Sequence, residues 1–359
     1  MKFGYFSHVW NKPDLVAAGR YQQLWRELAL ADQLGFDYSF CVEHHFSPGE
    51  SWMPSPPVFC TGGAARTERL RMGPMGYVVP LYDPLRIVED AGVLDNILEG
   101  RLELGLVSGI VPRYFTPFKA DFPNRRALTL EAVKLVKAAF ASDGPFSFEG
   151  EFHQYQDINL SVKPLQKPYP PLWLQSRDPA TLEFLAAEGV NTGYLFFLSR
   201  AETAPRYREY LRRWTEAGHA HKPNIGYWTL VYVDETDQKA RDFAAKHIVH
   251  TFCHVGGFGD VGGIRLEGLA ENFRRRNELG AAEIAIHLDD PDYLFKHKLM
   301  MVGSPRTVAE QLHEAACEGL FNTFLGEFNI GFLTEAELMR SVRLFGEEVL
   351  PELQDLEPY

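Results

Sequence analysis

Asp37-Tyr38-Ser39-Phe40-Cys41-Val42-Glu43-His44-His45-Phe46 reads as a strand that ends in a cluster of polar, protonatable side chains. Upstream lie a first strand, Phe3 to Ser7, and a helix around Tyr21 to Leu34 that stops at Gly35. Such a strand–helix–strand start suits two folds. A doubly wound sheet that binds a dinucleotide carries a GxGxxG turn after its first strand, and none is present here. A closed parallel barrel needs the unit to recur eight times. Further strands are expected at Leu70 to Val79, Arg101 to Val107, Pro171 to Gln175, Val190 to Phe197, Ile225 to Val233 and Phe321 to Phe328. Helices are expected between them at Val58 to Arg66, Leu85 to Leu98, Arg125 to Ala141, Pro179 to Glu188, Glu202 to Ala217 and from Thr236. Ser304-Pro305 and the capping-box spacing Thr334-x-x-Glu337 open two more. The count predicts an α/β fold, a (β/α)8 TIM-type barrel, with function at the C-terminal strand ends.

The 359 residues exceed an ordinary barrel of ~250. Three stretches fall outside the eight units: Ser108 to Asn124, Ser142 to Pro170 and Thr251 to Met300, the largest, before strand eight. Gly256-Gly257, Gly259 and Gly262-Gly263 suit the hinges of a lid over about 251–300, or a plain surface loop. The surplus therefore reads as insertions on one domain spanning 1–359.

With 45% hydrophobic and 23% charged residues the composition is globular. The net charge of −12, with no Lys/Arg block, argues against nucleic acid as a partner. No run approaches the ~20 apolar residues of a membrane span, and no signal peptide is expected. Cys41, Cys60, Cys253 and Cys317 form no CxxC pair, which suits a reduced, cytoplasmic protein.

Adjacent strand residues point to opposite faces, so His44 and His45 cannot easily share a metal. His44 shares a face with Phe40 and Val42; Glu43 and His45 share the other, where Glu43 is placed to pair with Arg86. One histidine facing the pocket is a candidate acid/base, and satisfied structural histidines are the alternative. Gln175-Ser176-Arg177-Asp178-Pro179-Ala180-Thr181 joins strand five to its helix. Hydroxyls, amides and a cation at a helix N-terminus suit an anion; ordinary capping by Ser176 or Asp178 is the competing reading. Trp10, Trp52, Phe196, Phe197 and Trp228 lie near strand ends, either lining a pocket or filling the core. There is no GxSxG and no protease-like Cys–His context, so a bound cofactor is the expected source of the chemistry.

Glu43-His44-His45-Phe46, the stretch Arg71 to Pro84, Pro84 to Asp90, Leu94-Asp95 to Gly100-Arg101, Gly105 and Gly303-Ser304-Pro305-Arg306-Thr307-Val308 resemble the bacterial luciferase-like flavin monooxygenases over nearly the whole chain. The resemblance implies a barrel that takes reduced FMN (FMNH2) from a separate flavin reductase. It also implies reaction with O2 through a flavin C4a-(hydro)peroxide to oxygenate a small, mostly apolar organic substrate, and a homodimer. It makes His44 the active-site acid/base and places a non-prolyl cis peptide under the flavin at Met75-Gly76. Ser176 and Thr181 match the family's phosphate-binding hydroxyls, and Gln175 stands where luciferase has a glutamate. Ser108 replaces the luciferase arginine that grips the phosphate, leaving Arg177 or Arg113 to compensate. An F420-dependent oxidoreductase and a non-catalytic flavin-binding relative share the same superfamily; a metal-dependent barrel hydrolase is the reading outside it.

Overall fold

A computed structural model of the protein describes residues 1–12, 14–249, 266–330 and 333–359. The strands are β1 (Lys2–Ser7), β2 (Tyr38–Cys41), β3 (Arg71–Pro74), β4 (Tyr77–Val78), β5 (Leu104–Val107), β6 (Phe146–Glu149), β7 (Gln154–Ile158), β8 (Leu172–Trp173), β9 (Thr192–Leu195), β10 (Ile225–Val233), β11 (Met301–Gly303) and β12 (Thr323–Glu327). Parallel ladders join β9 to β10, β10 to β12, β12 to β1, β1 to β2 and β2 to β3. Others join β4 to β5 and β5 to β8. Two single parallel bridges, Met72 to Leu102 and Trp173 to Asn191, complete the circuit. The fold is a TIM-type barrel. All eight expected strands take part, the third being divided into β3 and β4 at the cis peptide Met75-Gly76.

The helices follow the sequence signals closely. Arg125–Ala141 and Pro179–Glu188 have the expected bounds. Thr334 and Glu337 form the reciprocal capping box that opens Glu335–Leu344. Ser304 precedes the helix Pro305–Gly319, but its side chain caps nothing. Instead Asp237 reaches across to accept from the Ser304 backbone and the Thr307 hydroxyl.

Two expected insertions hold more structure than loops. Residues 142–170 carry the antiparallel hairpin β6–β7, and 108–124 carry the helix Pro112–Phe118. Each strand of the hairpin has only four or five residues, too short for a clear alternating pattern. In the expected lid, Leu266–Arg275, Leu279–Ile286 and Pro291–Lys296 are helical, and all its candidate hinge glycines lie outside the described residues. No helix among the described residues is long and apolar enough to cross a membrane.

At the N-terminal end of the barrel the buried Glu103 accepts from Arg71 Nε and Trp173 Nε1. Burial raises its pKa despite the compensating charge of Arg71. Next to it β3 and β5 run backbone against backbone. A Cβ on Gly73 would sit 1.6 Å from the Glu103 carbonyl oxygen, and one on Gly76 2.3 Å from the Gly105 backbone. We predict that Gly73→Ala costs about 3 kcal/mol, because neither backbone can yield. Thermal or urea unfolding within about 0.5 kcal/mol of the parent would contradict this.

Candidate active site

The C-terminal end of β12 places Glu327 under the barrel mouth with no solvent exposure. Its carboxylate gathers four N–H groups. The His8 backbone donates at 2.9 Å and His8 Nδ1 lies at 2.7 Å. The indoles of Trp10 and Trp228 donate at 2.5 and 3.0 Å. The turn that lets His8 and Trp10 share one acceptor runs through Val9, whose φ of +50° is unfavourable for a β-branched residue. The two rings lie 4.8 Å apart.

The loop after β2 is tied to this turn. Asn11 N donates to the Glu50 carbonyl at 2.8 Å, Trp52 N to the Val9 carbonyl at 3.1 Å, and Trp10 bridges Ser51 antiparallel. His44 thereby faces His8, their rings edge to face at 5.2 Å. His44 Nδ1 lies 3.1 Å from Glu50 Oε1 without hydrogen-bond alignment. Burial pushes the Glu50 carboxyl up, but His44, His8 and Arg113 outweigh that and hold it below the ordinary carboxylate range.

The other face of the motif is structural. His45 Nε2 bonds Glu43 at 2.7 Å, and Glu43 also accepts from Val78 N and the Tyr82 hydroxyl. The expected Glu43–Arg86 pair does not form. Arg86 is exposed on the first turn of Pro84–Ile97 and pairs with Glu89 and Asp90. Among the described residues no three His, Cys, Asp or Glu side chains could hold a metal ion.

Across the mouth lie the residues expected to meet a cofactor. Met75 and Gly76 form the cis peptide between β3 and β4. Ser108 follows β5, half-buried, and Gln175, Ser176 and Arg177 follow β8. Gln175 Nε2 and Arg177 Nη1 are buried without a hydrogen-bond partner. The second arm of Arg177 pairs with Glu278, which Arg206 also contacts. Thr181 is used locally: its amide and hydroxyl both donate to Asp178, which caps the helix Pro179–Glu188. Ser176 Oγ accepts from the Asp178 amide. Arg113 contacts Ser47 on the His44 side. Arginines gather here despite the acidic chain. Burial first, then Arg126 and Arg276, lower the Arg125 pKa; burial, Arg206 and Arg276 lower that of Arg177.

Of the aromatic candidates, Trp10 and Trp228 join the Glu327 cluster and Phe196 stands 5.5 Å from Trp228, with Phe197 beside it. Trp52 turns outward to the Pro48 carbonyl. Sequence reasoning missed His8, Glu50 and Glu327. For Glu327 a signal was present, since a carboxylate inside an apolar strand must find partners.

The barrel thus carries a histidine–carboxylate cluster after β1 and β2 and, after β8, two buried donors without partners. The chain is a member of the luciferase-like monooxygenase family, whose model matches residues 1–322. It is 22% identical to the alkanal monooxygenase alpha chain of the Kryptophanaron alfredi symbiont, over 99% of both chains. The oxygenating constituent of 3,6-diketocamphane monooxygenase from Pseudomonas putida, solved with FMN, superposes with a TM-score of 0.77 at 21% identity, covering 98% of each chain. An F420-dependent secondary alcohol dehydrogenase gives 0.69 at 17%, covering 99% of each.

Beyond Trp10 the chain buries Lys12, whose ammonium donates to the Leu333 carbonyl at 2.6 Å. Burial, then Arg20, push its pKa from the ordinary 10.5 to about 8. The lowered value means that the charged form is disfavoured on folding. That penalty is full below about 8 and vanishes as pH rises through 10.5, because the unfolded chain holds its proton longer. We predict that Lys12→Met is more stable than the parent by about 2 kcal/mol at neutral pH. The gap in unfolding free energy should close toward pH 10.5, and a gap independent of pH would refute the assignment.

Proposed function

We propose that the chain is the oxygenase component of a two-component flavin monooxygenase. It takes reduced FMN from a separate reductase and uses O2 to oxygenate a small, mostly apolar organic substrate. The observation that carries this reading is the pair of buried, unpartnered donors, Gln175 Nε2 and Arg177 Nη1, on the loop that follows β8. Buried donors left without acceptors are costly, and a polar, anionic ligand satisfies them.

Gln175, Ser176 and Arg177 would hold the polar end of FMN, with Ser108 and the arginine cluster adding donors and positive charge. Thr181 would contribute only by giving up its bond to Asp178. Met75-Gly76 would lie against the ring system. Bound reduced FMN supplies the electrons that activate O2 for transfer of one oxygen atom. His44 Nε2 moves a proton at the reacting centre, with the Glu50 carboxylate 3.1 Å from Nδ1 as a nearby negative charge. Trp228, Phe196 and Phe197 would exclude water from the reacting centre. A homodimer, as the family resemblance implies, completes the reading.

Titration with FMN, reduced FMN and F420, followed by a substrate screen with a reductase scored by product mass, tests it. Tighter binding of F420 than of either FMN form would favour the dehydrogenase-like reading that the 0.69 superposition admits. His44→Ala is predicted to keep flavin binding within about threefold and to lose product yield by about 10²-fold or more, in the range of general acid–base contributions. Unchanged yield removes His44 from the reaction.

A further inference from the structure

His44 is backed by a carboxylate, and so is a second imidazole that the reaction scheme above leaves unused. Glu327 is satisfied by one backbone amide and two indoles, none of which titrates, so it stands as an acceptor-only carboxylate toward His8. That contact fixes the Nδ1–H tautomer of His8 and leaves the Nε2 lone pair free. His8 Nε2 has no partner among the described residues, and its side chain keeps 12% exposure against 24% for His44. The two rings meet edge to face at 5.2 Å, with Trp228 at 5.4 Å from His8 and Tyr114 at 6.0 Å from His44. The charged or titratable groups facing the pair are Glu327 from β12, Glu50 from the loop after β2, Tyr114 from the helix Pro112–Phe118, and Arg113 through Glu50.

We propose that His8, positioned by Glu327, is a second general base of this pocket, and that the substrate is an aromatic or otherwise apolar molecule bearing an ionisable hydroxyl, of the phenol or enol class. A hydrocarbon offers no proton to a carboxylate-backed imidazole, whereas a hydroxyl does, and the imidazolium that results is the donor for the oxyanion left behind. In the step assigned to His8 the substrate O–H bond breaks and the proton adds to His8 Nε2. The electron pair stays on oxygen, and the imidazolium is balanced by Glu327. Nothing is oxidised or reduced. The oxyanion is held by the Nε2–H that the transfer creates on His8, and it enters oxygen transfer as an electron-rich ring or alkene. This substrate class rests on the flavin reading; the proton transfer does not.

The test is the ionisation of 4-nitrophenol, whose visible absorbance reports its protonation state, on binding to the full chain with and without oxidised FMN. The wild type should favour bound phenolate by about tenfold over the free probe at the same pH, equivalent to one pKa unit. His8→Gln should abolish the effect and Glu327→Gln should weaken it, while circular dichroism reports whether each variant folds. Wild-type protein that does not bind the probe, or binds it without ionising it, overturns the proposal without any variant. So does a folded His8→Gln protein that ionises the probe as well as the parent. FMN fluorescence in the same samples separates the two readings. Failure to bind FMN defeats the flavin assignment alone, because the flavin-free titration still decides His8.

Discussion

A single carboxylate, Glu327, joins three parts of the barrel that are far apart in sequence. Burying an ionised group without partners costs several kcal/mol, so its four N–H donors are a condition of folding as much as a feature of the site. The end of β1, the middle of β10 and the end of β12 must all be in register before those donors converge. The left-handed turn at Val9 brings His8 and Trp10 to the same acceptor. The second loop then hangs on the first through the backbone bonds of Asn11 and Trp52. His44 therefore owes its position to a residue nearly three hundred places away.

The mouth is divided chemically. On one side His8, His44, Trp10 and Trp228 form an aromatic wall. On the other, Arg206 bonds the Arg177 carbonyl and Arg125 the Gly109 carbonyl, close in sequence to the amide and hydroxyl side chains of Gln175, Ser176 and Ser108. The overall charge of −12 gives no hint of this division, because the acidic residues lie elsewhere or are spent, as Glu278 is, in neutralising pairs. Glu278 also fastens the helix Leu266–Arg275 and its successor to the polar side, where Phe273 packs under Arg177 at 5.2 Å.

The barrel was legible in the sequence because its strands are apolar runs separated by capped helices, and both signals are local. The cis peptide at Met75-Gly76 was anticipated through the family resemblance, whereas the division of the strand there was not. The parity argument placed Glu43 and His45 together and His44 apart from them, since side-chain alternation survives into the strand end. Arg86 escaped because strand parity says nothing about which face of the next helix a residue occupies. His8 and Glu327 escaped for a different reason. Each sits at a strand end with no neighbouring partner in sequence, and their meeting is a property of ring closure between the first and last strands. Ser176 and Thr181 show the limit of a helix-start signature: the same hydroxyls that suit an anion also suit Asp178, and the sequence cannot rank the two uses.

The close approach of β3, β4 and β5 has a consequence for how such a protein can diversify. Where main chain lies on main chain, at Gly73, Gly76 and Gly105, no side chain can be introduced to reshape the pocket floor. Variation is channelled to the rim, into the loops after β1, β2, β5 and β8, each of which already carries a residue of the candidate site. The seam therefore acts as a fixed hinge plate around which new specificities must be hung. An engineer seeking a different substrate should leave it untouched and redraw the loops.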